Sequence, residues 1–238
     1  STTTYGIATG VTTNEDSGTL YDMTLSSAFT KSLSAWAVGS ANGSLDTGAV
    51  AVSTWYHVHV IRKDSDGSID ILLSTSVAAP TMPSGYTARR RIGSILTNGS
   101  AQIVAFSQLG DEFLWDVALV DVDATAPGTA AVSRTLTTPL GVQTLAIITG
   151  GVYAGTTINA AVFSALAVSD QAPQVPGTAG LVGFSSVGSS TVAGAAWTLA
   201  NMQIRTNTLS QIRSRLQASG AADHIGIITR GFIDSRGK

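Results

Sequence analysis

The chain has 238 residues, enough for one large domain or two of ordinary size. Its 13 Lys+Arg against 15 Asp+Glu leave a formal net charge of −2, so no basic excess is available to neutralise a phosphate backbone, and non-specific nucleic-acid binding is disfavoured. With 12% charged and 44% apolar residues the chain can cover its folding entropy. Its 25 glycines without a cysteine fit an all-β protein lacking disulfides and thiolate metal sites.

The opening Ser1-Thr2-Thr3-Thr4-Tyr5 has no basic segment followed by an apolar run and so does not read as a signal peptide. Tyr5, Ile7 and Thr9 already alternate like a strand, which leads us to expect further chain upstream. Ser27 to Leu33 reads as a helical turn, and Asn42-Gly43 with Asp46-Thr47-Gly48 as a polar loop after Ala35 to Val38. Thr54 to Lys63 and Ser68 to Ser74 alternate on either side of Asp64-Ser65-Asp66-Gly67, the signature of a hairpin. A second hairpin is expected from Arg91 to Phe106, turning at Asn98-Gly99, because Asn-Gly supplies the positive φ angles of a two-residue turn. Between the two, Ala79 to Gly85 carries two prolines, which remove ladder donors and mark an exposed connection.

Glu112 to Val122 is a further strand, after which Asp123-Ala124-Thr125-Ala126-Pro127-Gly128 reads as a linker. The expected organisation is therefore a hairpin-rich module at 1–123, a linker at 124–130 and a second domain at 131–238. Strands are predicted near Ser133 to Thr138, Val142 to Thr149, Ile158 to Val168, Trp197 to Ile204, Gln211 to Leu216 and His224 to Phe232, with Gly183 to Ala196 as a long loop or closely packed turns. Six short strands at this spacing predict an antiparallel, jelly-roll-like β-sandwich. Between Thr135 and Ile204 the only charged residue is Asp170, yet glycines, prolines and hydroxyl residues interrupt the run, so no membrane insertion is expected. A surface so poor in charge is poorly protected against association, and sister subunits or neighbouring proteins are expected to cover part of it.

Few residues carry chemistry. His57 and His59 alternate on one strand and so share a face, as in His-x-His metal sites, but a third ligand is missing and packing beside Trp55 and Ile61 is the stronger expectation; no metal and no cofactor are assigned. Asp64-x-Asp66-Gly67-x-x-Asp70 has part of a calcium-loop spacing without its closing glutamate and reads as an Asx turn. Gly183-Phe184-Ser185-Ser186-Val187-Gly188 has the wrong spacing for a nucleophile elbow. Asp111, Glu112 and Asp116 cluster in sequence, and paired carboxylates cleave glycosides, but no catalytic residue is assigned. Arg89-Arg90-Arg91 is expected to face carboxylate partners or a sheet edge. Trp36, Trp55, Trp115 and Trp197 could stack on sugar rings, and Arg213 and Arg215 share a face that could meet an acidic glycan. We take Trp36, Trp197, Arg213 and Arg215 as the carbohydrate-binding candidates, against core packing for the indoles and salt bridges for the arginines.

The segments Ala35-Trp36-Ala37-Val38-Gly39-Ser40, Leu45-Asp46-Thr47-Gly48, Trp55-Tyr56-His57-Val58, Ala79 to Tyr86, Arg90-Arg91-Ile92-Gly93-Ser94-Ile95 and Phe106 to Asp111 occur in that order, and Ile225 to Gly237 closes the chain. Together they resemble virion proteins of tailed bacteriophages and prophages: tail fibres, tail spikes and head-fibre-like proteins. The resemblance implies a multimeric, most simply trimeric, β-rich protein of the phage particle surface that contacts other virion proteins. It carries over no catalytic motif and no defined binding residue. The expected function is non-enzymatic: a tail fibre or spike component that contributes to attachment to a host-surface glycan, with residues 131–238 facing the host. The alternatives are a head fibre, capsid decoration or adaptor protein, and, from another class, a glycan-degrading tail spike.

Overall fold

The structure is a computed structural model that describes residues 2–16, 18–155, 159–173, 186–190 and 197–236. Among the described residues every regular element is a β-strand. None forms a helix long and apolar enough to cross a membrane. The chain divides into unit 1, residues 1–105 with 236–238, and unit 2, residues 106–235. Both units are β-rich, as the composition implies.

In unit 1 the strands are β1 (Thr4–Ile7), β2 (Gly10–Thr13), β3 (Asp22–Leu25), β4 (Phe29–Ala35), β5 (Gly43–Leu45), β6 (Trp55–Lys63), β7 (Ile69–Ser74) and β8 (Tyr86–Leu96). Six of them make one sheet in the order β1-β4-β5-β7-β6-β8, and β2 pairs with β3. The expected hairpin of β6 and β7 is present, in register from His57 with Ser74 to Arg62 with Ile69. Its turn closes where the Asp66 carboxylate accepts from Ser68 N at 2.9 Å and Gly67 takes φ +74°. Ala79 to Gly85 is an irregular connection, as its prolines require.

Three local expectations fail. Phe29 to Leu33 is strand rather than helical turn, because its alternation inserts Lys31 and Leu33 into the interior. Gly43 to Leu45 is no loop but the short β5, parallel to both neighbours. The chain does turn back after Asn98-Gly99, Thr97 bridging Ile103 antiparallel, but the expected two-residue turn and second strand do not form, and the strand pairing of β8 is with β6. The Asn98 carboxamide accepts from Ser100 N and Gln102 N, shaping a wider loop whose positive φ, +56°, falls on Ala101.

Parallel strands are normally joined by a crossover of a dozen residues or more, yet β4 reaches β5 through residues 36–42 alone. So tight a path points carbonyls inward with no strand to receive them. Lys31 solves this: its buried ammonium donates to the carbonyls of Ala37 at 3.0 Å, Gly39 at 2.8 Å and Gly43 at 3.4 Å. Its charge is met by Asp70 of β7, 2.7 Å away, both side chains being almost wholly withdrawn from solvent. Asp70 also accepts from Gly39 N and Ile71 N, each at 2.7 Å. Tyr5 pairs with Lys31 in register, and burial, with the negative charge of Asp70 as a lesser cause, pushes its phenol above the ordinary range.

Unit 2 contains β9 (Phe106–Leu109), β10 (Glu112–Thr125), β11 (Val132–Thr135), β12 (Leu145–Tyr153), β13 (Asn159–Ser164), β14 (Ser186–Ser190), β15 (Trp197–Arg205), β16 (Gln211–Leu216) and β17 (His224–Ile233). All six strands expected in the second half are present, but Ser186–Ser190, expected as loop or packed turns, is the strand β14, paired with β13; residues 183–185, which begin the Gly183–Gly188 motif, and 191–196 lie outside the described residues. A five-stranded sheet, β15-β12-β17-β10-β9, faces a four-stranded one, β11-β16-β13-β14. Ile148, Val152, Ile204, Ile225 and Ile227 from the first meet Phe163, Ile212 and Leu216 from the second in one core, the arrangement of a β-sandwich.

The division into units corrects the expected boundary. Asp123-Ala124-Thr125 is no linker: it continues β10 and pairs with Gly226, Ile225 and His224. The polar composition that reads as a linker is one face of a strand, Asp123 and Thr125 exposed with Ala124 packed on the core. The chain passes into unit 2 at Phe106, just before the β9–β10 turn at Gly110, whose φ is +60°.

Replacing Lys31 by Met leaves a buried, uncompensated Asp70 and is expected to destabilise the protein by about 3–5 kcal/mol, seen as a lower midpoint in urea. The double variant K31M/D70L should recover only part of that loss, because it removes both charges together but leaves the carbonyls of Ala37 and Gly39 and the N–H of Gly39 without these partners.

Candidate functional site

The outward face of the five-stranded sheet in unit 2 is built in rows by its register. Trp197, Tyr153, His224 and Thr125 lie side by side on four adjacent strands; Leu199, Gly151, Gly226 and Asp123 form the next row, and Asn201, Thr149, Ile228 and Val120 the one after. The second row has two glycines in strand interiors, a placement that marks the close approach of another group. That group is the indole of Trp197, joined over Gly151 by the Leu199 side chain, whose Cδ2 would stand 2.5 Å from a Cβ there. A Cβ on Gly151 would stand 3.0 Å from the indole Cε3, and one on Gly226 3.1 Å from its Cζ3, so the benzo edge crosses from β12 to β17 over bare backbone.

Trp197 is fixed at its sides by Tyr153, ring centroids 5.9 Å apart, and His224, at 6.1 Å, while Tyr153 and His224 meet edge to face at 5.6 Å. Nevertheless 43% of Trp197 stays exposed. Around it are hydrogen-bonding groups: Thr125 Oγ1 lies 3.2 Å from His224 Nδ1, the Asp123 carboxylate 3.7 Å from the same nitrogen, and Thr149 Oγ1 donates to Asn201 Oδ1 at 2.7 Å. The arrangement is a supported aromatic platform bordered by a carboxylate, hydroxyls and a carboxamide.

The four candidates from the sequence do not converge. Trp36 belongs to unit 1, where, partly buried, it packs against the cluster of Ile61, Leu72 and Tyr86 and meets Tyr86 edge to face at 5.4 Å, the core role that competed with sugar stacking. Arg213 and Arg215 do share a face, but that of the opposite sheet, since Ile212, Ser214 and Leu216 between and beside them are buried. Asp170 takes both, at 3.9 Å from Arg213 Nε and 2.5 Å from Arg215 Nη1; Arg213 also donates to Val168 O and Arg215 to Thr129 O. They form a clamp on the segment after β13. Only Trp197 presents an open ring, and its companions Tyr153, His224, Gly151, Gly226 and Asp123 escaped the sequence reading. The strand-interior glycines were the available signal.

Other motifs resolve into structural roles. The three carboxylates of the calcium-like spacing diverge: Asp64 accepts from Thr87 N and Oγ1, Asp66 closes its turn, and Asp70 meets Lys31. The arginine run finds carboxylates on the edge strand β8: Arg89 pairs with Asp16 and Arg90 with Glu15, while Glu15 Oε1 accepts from Arg91 N at 3.2 Å. Asp111 lies in the β9–β10 turn, Glu112 opens β10, and Asp116 is exposed in the irregular stretch between Leu114 and Leu119. Among the described residues no group of three or more His, Cys, Asp or Glu is placed to hold a metal ion.

His57 and His59 are both buried. His57 Nδ1 lies 2.9 Å from Ser94 Oγ, and His59 Nε2 donates to Ser76 O at 3.1 Å, leaving Nδ1 as the site for any second proton. Burial, assisted by the nearby charges of Arg89 and Arg91, lowers the His59 pKa to about 4, so the ring is neutral.

No family model matches the chain, and no curated protein matches it significantly.

His59 sets a pH dependence in unit 1. Between about pH 6.5 and 4 the unfolded chain binds a proton that folded His59 refuses, so stability present above 6.5 is lost as pH falls. The loss attributable to this ring is about 3 kcal/mol by pH 4. Urea unfolding at pH 7.5 and 4.5 should show a smaller difference for His59→Gln than for the parent protein.

Proposed function

We propose that this chain is a non-enzymatic bacteriophage virion protein, a tail fibre or spike component, whose unit 2 holds a glycan of the host surface on Trp197. One observation carries the glycan reading: a tryptophan that stays 43% exposed, its ring seated on two strand-interior glycines and bordered by polar groups. The apolar face of a pyranose packs on such a ring, while its hydroxyls need donors and acceptors at the rim. Asp123, Thr125, His224 and Asn201 supply them. Binding is favoured over cleavage because the two rows at the platform contain one carboxylate, Asp123, where glycoside hydrolysis ordinarily uses two. The ordered segments between Ala35 and Asp111 and the closing Ile225 to Gly237 support the phage assignment, through their resemblance to virion proteins.

The same reading includes a homotrimer on the particle surface, in contact with other virion proteins and with neither nucleic acid nor membrane as partner. Its support is the shortage of charge in unit 2, together with exposed apolar side chains away from the platform rows such as Leu140, Val168 and Leu209.

Two measurements test this. Trp197→Ala should abolish attachment to host cells and binding to their isolated surface polysaccharide, at least tenfold, with an unchanged unfolding midpoint. Gly226→Val, which displaces the ring without removing it, should weaken binding in the same sense, whereas undiminished binding by both variants overturns the glycan reading. Light scattering over a range of concentrations should return three times the chain mass, and a monomer would overturn the trimer and favour a decoration or adaptor protein.

A further inference from the structure

The platform stands at one end of a long exposed face. Along β15 every second side chain points outward: Trp197, Leu199, Asn201, Gln203 and Arg205, all exposed. Eight residues of strand separate the first from the last, about 26 Å at the usual rise. On the neighbouring β12 the outward positions are Tyr153, Gly151, Thr149, Ile147 and Leu145. The face therefore changes from aromatic to amide and hydroxyl and then to cationic. A single terminal sugar would use only the first part.

The far end has a second, independent feature. Unit 2 contains Arg134, Arg205, Arg213, Arg215 and Arg230. Arg134 is bonded to Ser214, and Arg213 and Arg215 to Asp170. Among the described residues Arg205 and Arg230 have no hydrogen-bonding or ionic partner. Arg205 sits opposite Leu145 on the outward side of β15, since its neighbour Ile204 is in the core. Arg230 occupies the irregularity where β17 slips against Ile147 and Ile148, and as its inward neighbour Thr229 is wholly buried, its own exposed side chain emerges on the same face. Two unpaired guanidinium groups on one face, in a domain this poor in charge, are available to carboxylate or phosphate oxygens.

We propose that this face binds an extended, anionic polysaccharide, running along β15 and β12 with one sugar on Trp197 and acidic groups of later sugars at Arg230 and Arg205. The proposal rests on the glycan reading of Trp197 and adds the polymer's charge, length and direction. Asp123 and Thr125 serve the hydroxyls at the aromatic end, and Asn201, Thr149 and Gln203 those between.

The test uses the full chain against two immobilised series of defined length, from single sugars to octasaccharides: one from neutral bacterial surface polysaccharides, one from uronic-acid or phosphate-bearing ones. Affinity should rise with length and be higher, and more salt-sensitive, for the acidic series. The double variant R205Q/R230Q should lose at least tenfold on acidic oligomers, lose their salt sensitivity, and keep its affinity for neutral ones, while Trp197→Ala loses both series. If Trp197→Ala abolishes binding but R205Q/R230Q changes nothing, or affinity is already complete with one sugar, the extended anionic ligand is overturned and the platform survives. If no member of either series binds, or Trp197→Ala binds as the parent does, the glycan reading itself fails.

Discussion

Lys31 is a charge placed where the sheet of unit 1 cannot otherwise close. Two parallel joints, β4 to β5 and β5 to β7, are made by a strand of three residues, and the path into it, residues 36–42, is too short to satisfy its own carbonyls. A neutral side chain would take this donor from the oxygens of Ala37 and Gly39, a cost of about 1–3 kcal/mol for each, whereas that of Gly43 also accepts from Ala37 N. The ammonium gathers two of them, with that of Gly43 at the start of β5, and is neutralised by Asp70, which in return takes Gly39 N from the same loop. A fully bonded buried pair of this kind contributes specificity of pairing more than net stability, because desolvating both ions offsets most of their attraction. Here it ties β4 to β7 across β5, the strand that lies between them.

Gly43 completes that joint from the other side. A Cβ at this position would collide with the backbone oxygens of Ser34 and Ala35, so β5 can lie against β4 only as glycine. Edge protection follows the same economy. The outer strand β8 is met by the Glu15 and Asp16 carboxylates, which accept from Arg91 N and Arg89 N while pairing with arginine side chains of that strand. Donors left open on a sheet edge invite pairing with another chain, and these are closed by charges drawn from the β2–β3 connection.

Unit 2 uses glycine for a different purpose. In β12 and β17 the outward side chain is omitted at Gly151 and Gly226, and the space is taken by Trp197, which reaches from β15 across the adjacent β12 to β17, with Leu199 beside it over Gly151. One ring thereby covers the backbone of two strands and keeps much of its own surface for a ligand. Inward, Gly150 admits Phe163 of the opposite sheet, with a would-be Cβ only 3.0 Å from its ring. The pair Gly150-Gly151 thus serves both faces of one sheet: the core packs through the first and the platform rests on the second.

The fold class was legible because strand formation is largely a matter of local alternation: the hairpin of β6 and β7 and six of the strands β11 to β17 could be read from the sequence, whereas β14, made of Ser, Val and Gly, could not. The turn residues were less reliable. Asn98-Gly99 has the composition of a tight turn, but the loop is shaped by the Asn98 carboxamide and β8 pairs elsewhere. Asp123-Ala124-Thr125 has linker composition, but it lies beside β17, and pairing outweighs composition.

The sequence by itself determined an all-β chain, a charge-poor second half and a tryptophan at 197 capable of stacking. Which of the four candidates would be open to solvent was decided by tertiary structure alone. Trp36 was drawn into a core and Arg213 and Arg215 onto Asp170, while Trp197, Tyr153 and His224, distant in sequence, were brought into one row. The physical reason is that a strand's alternation says which residues share a face, but only register, set by pairing between remote segments, says which faces and which rows adjoin.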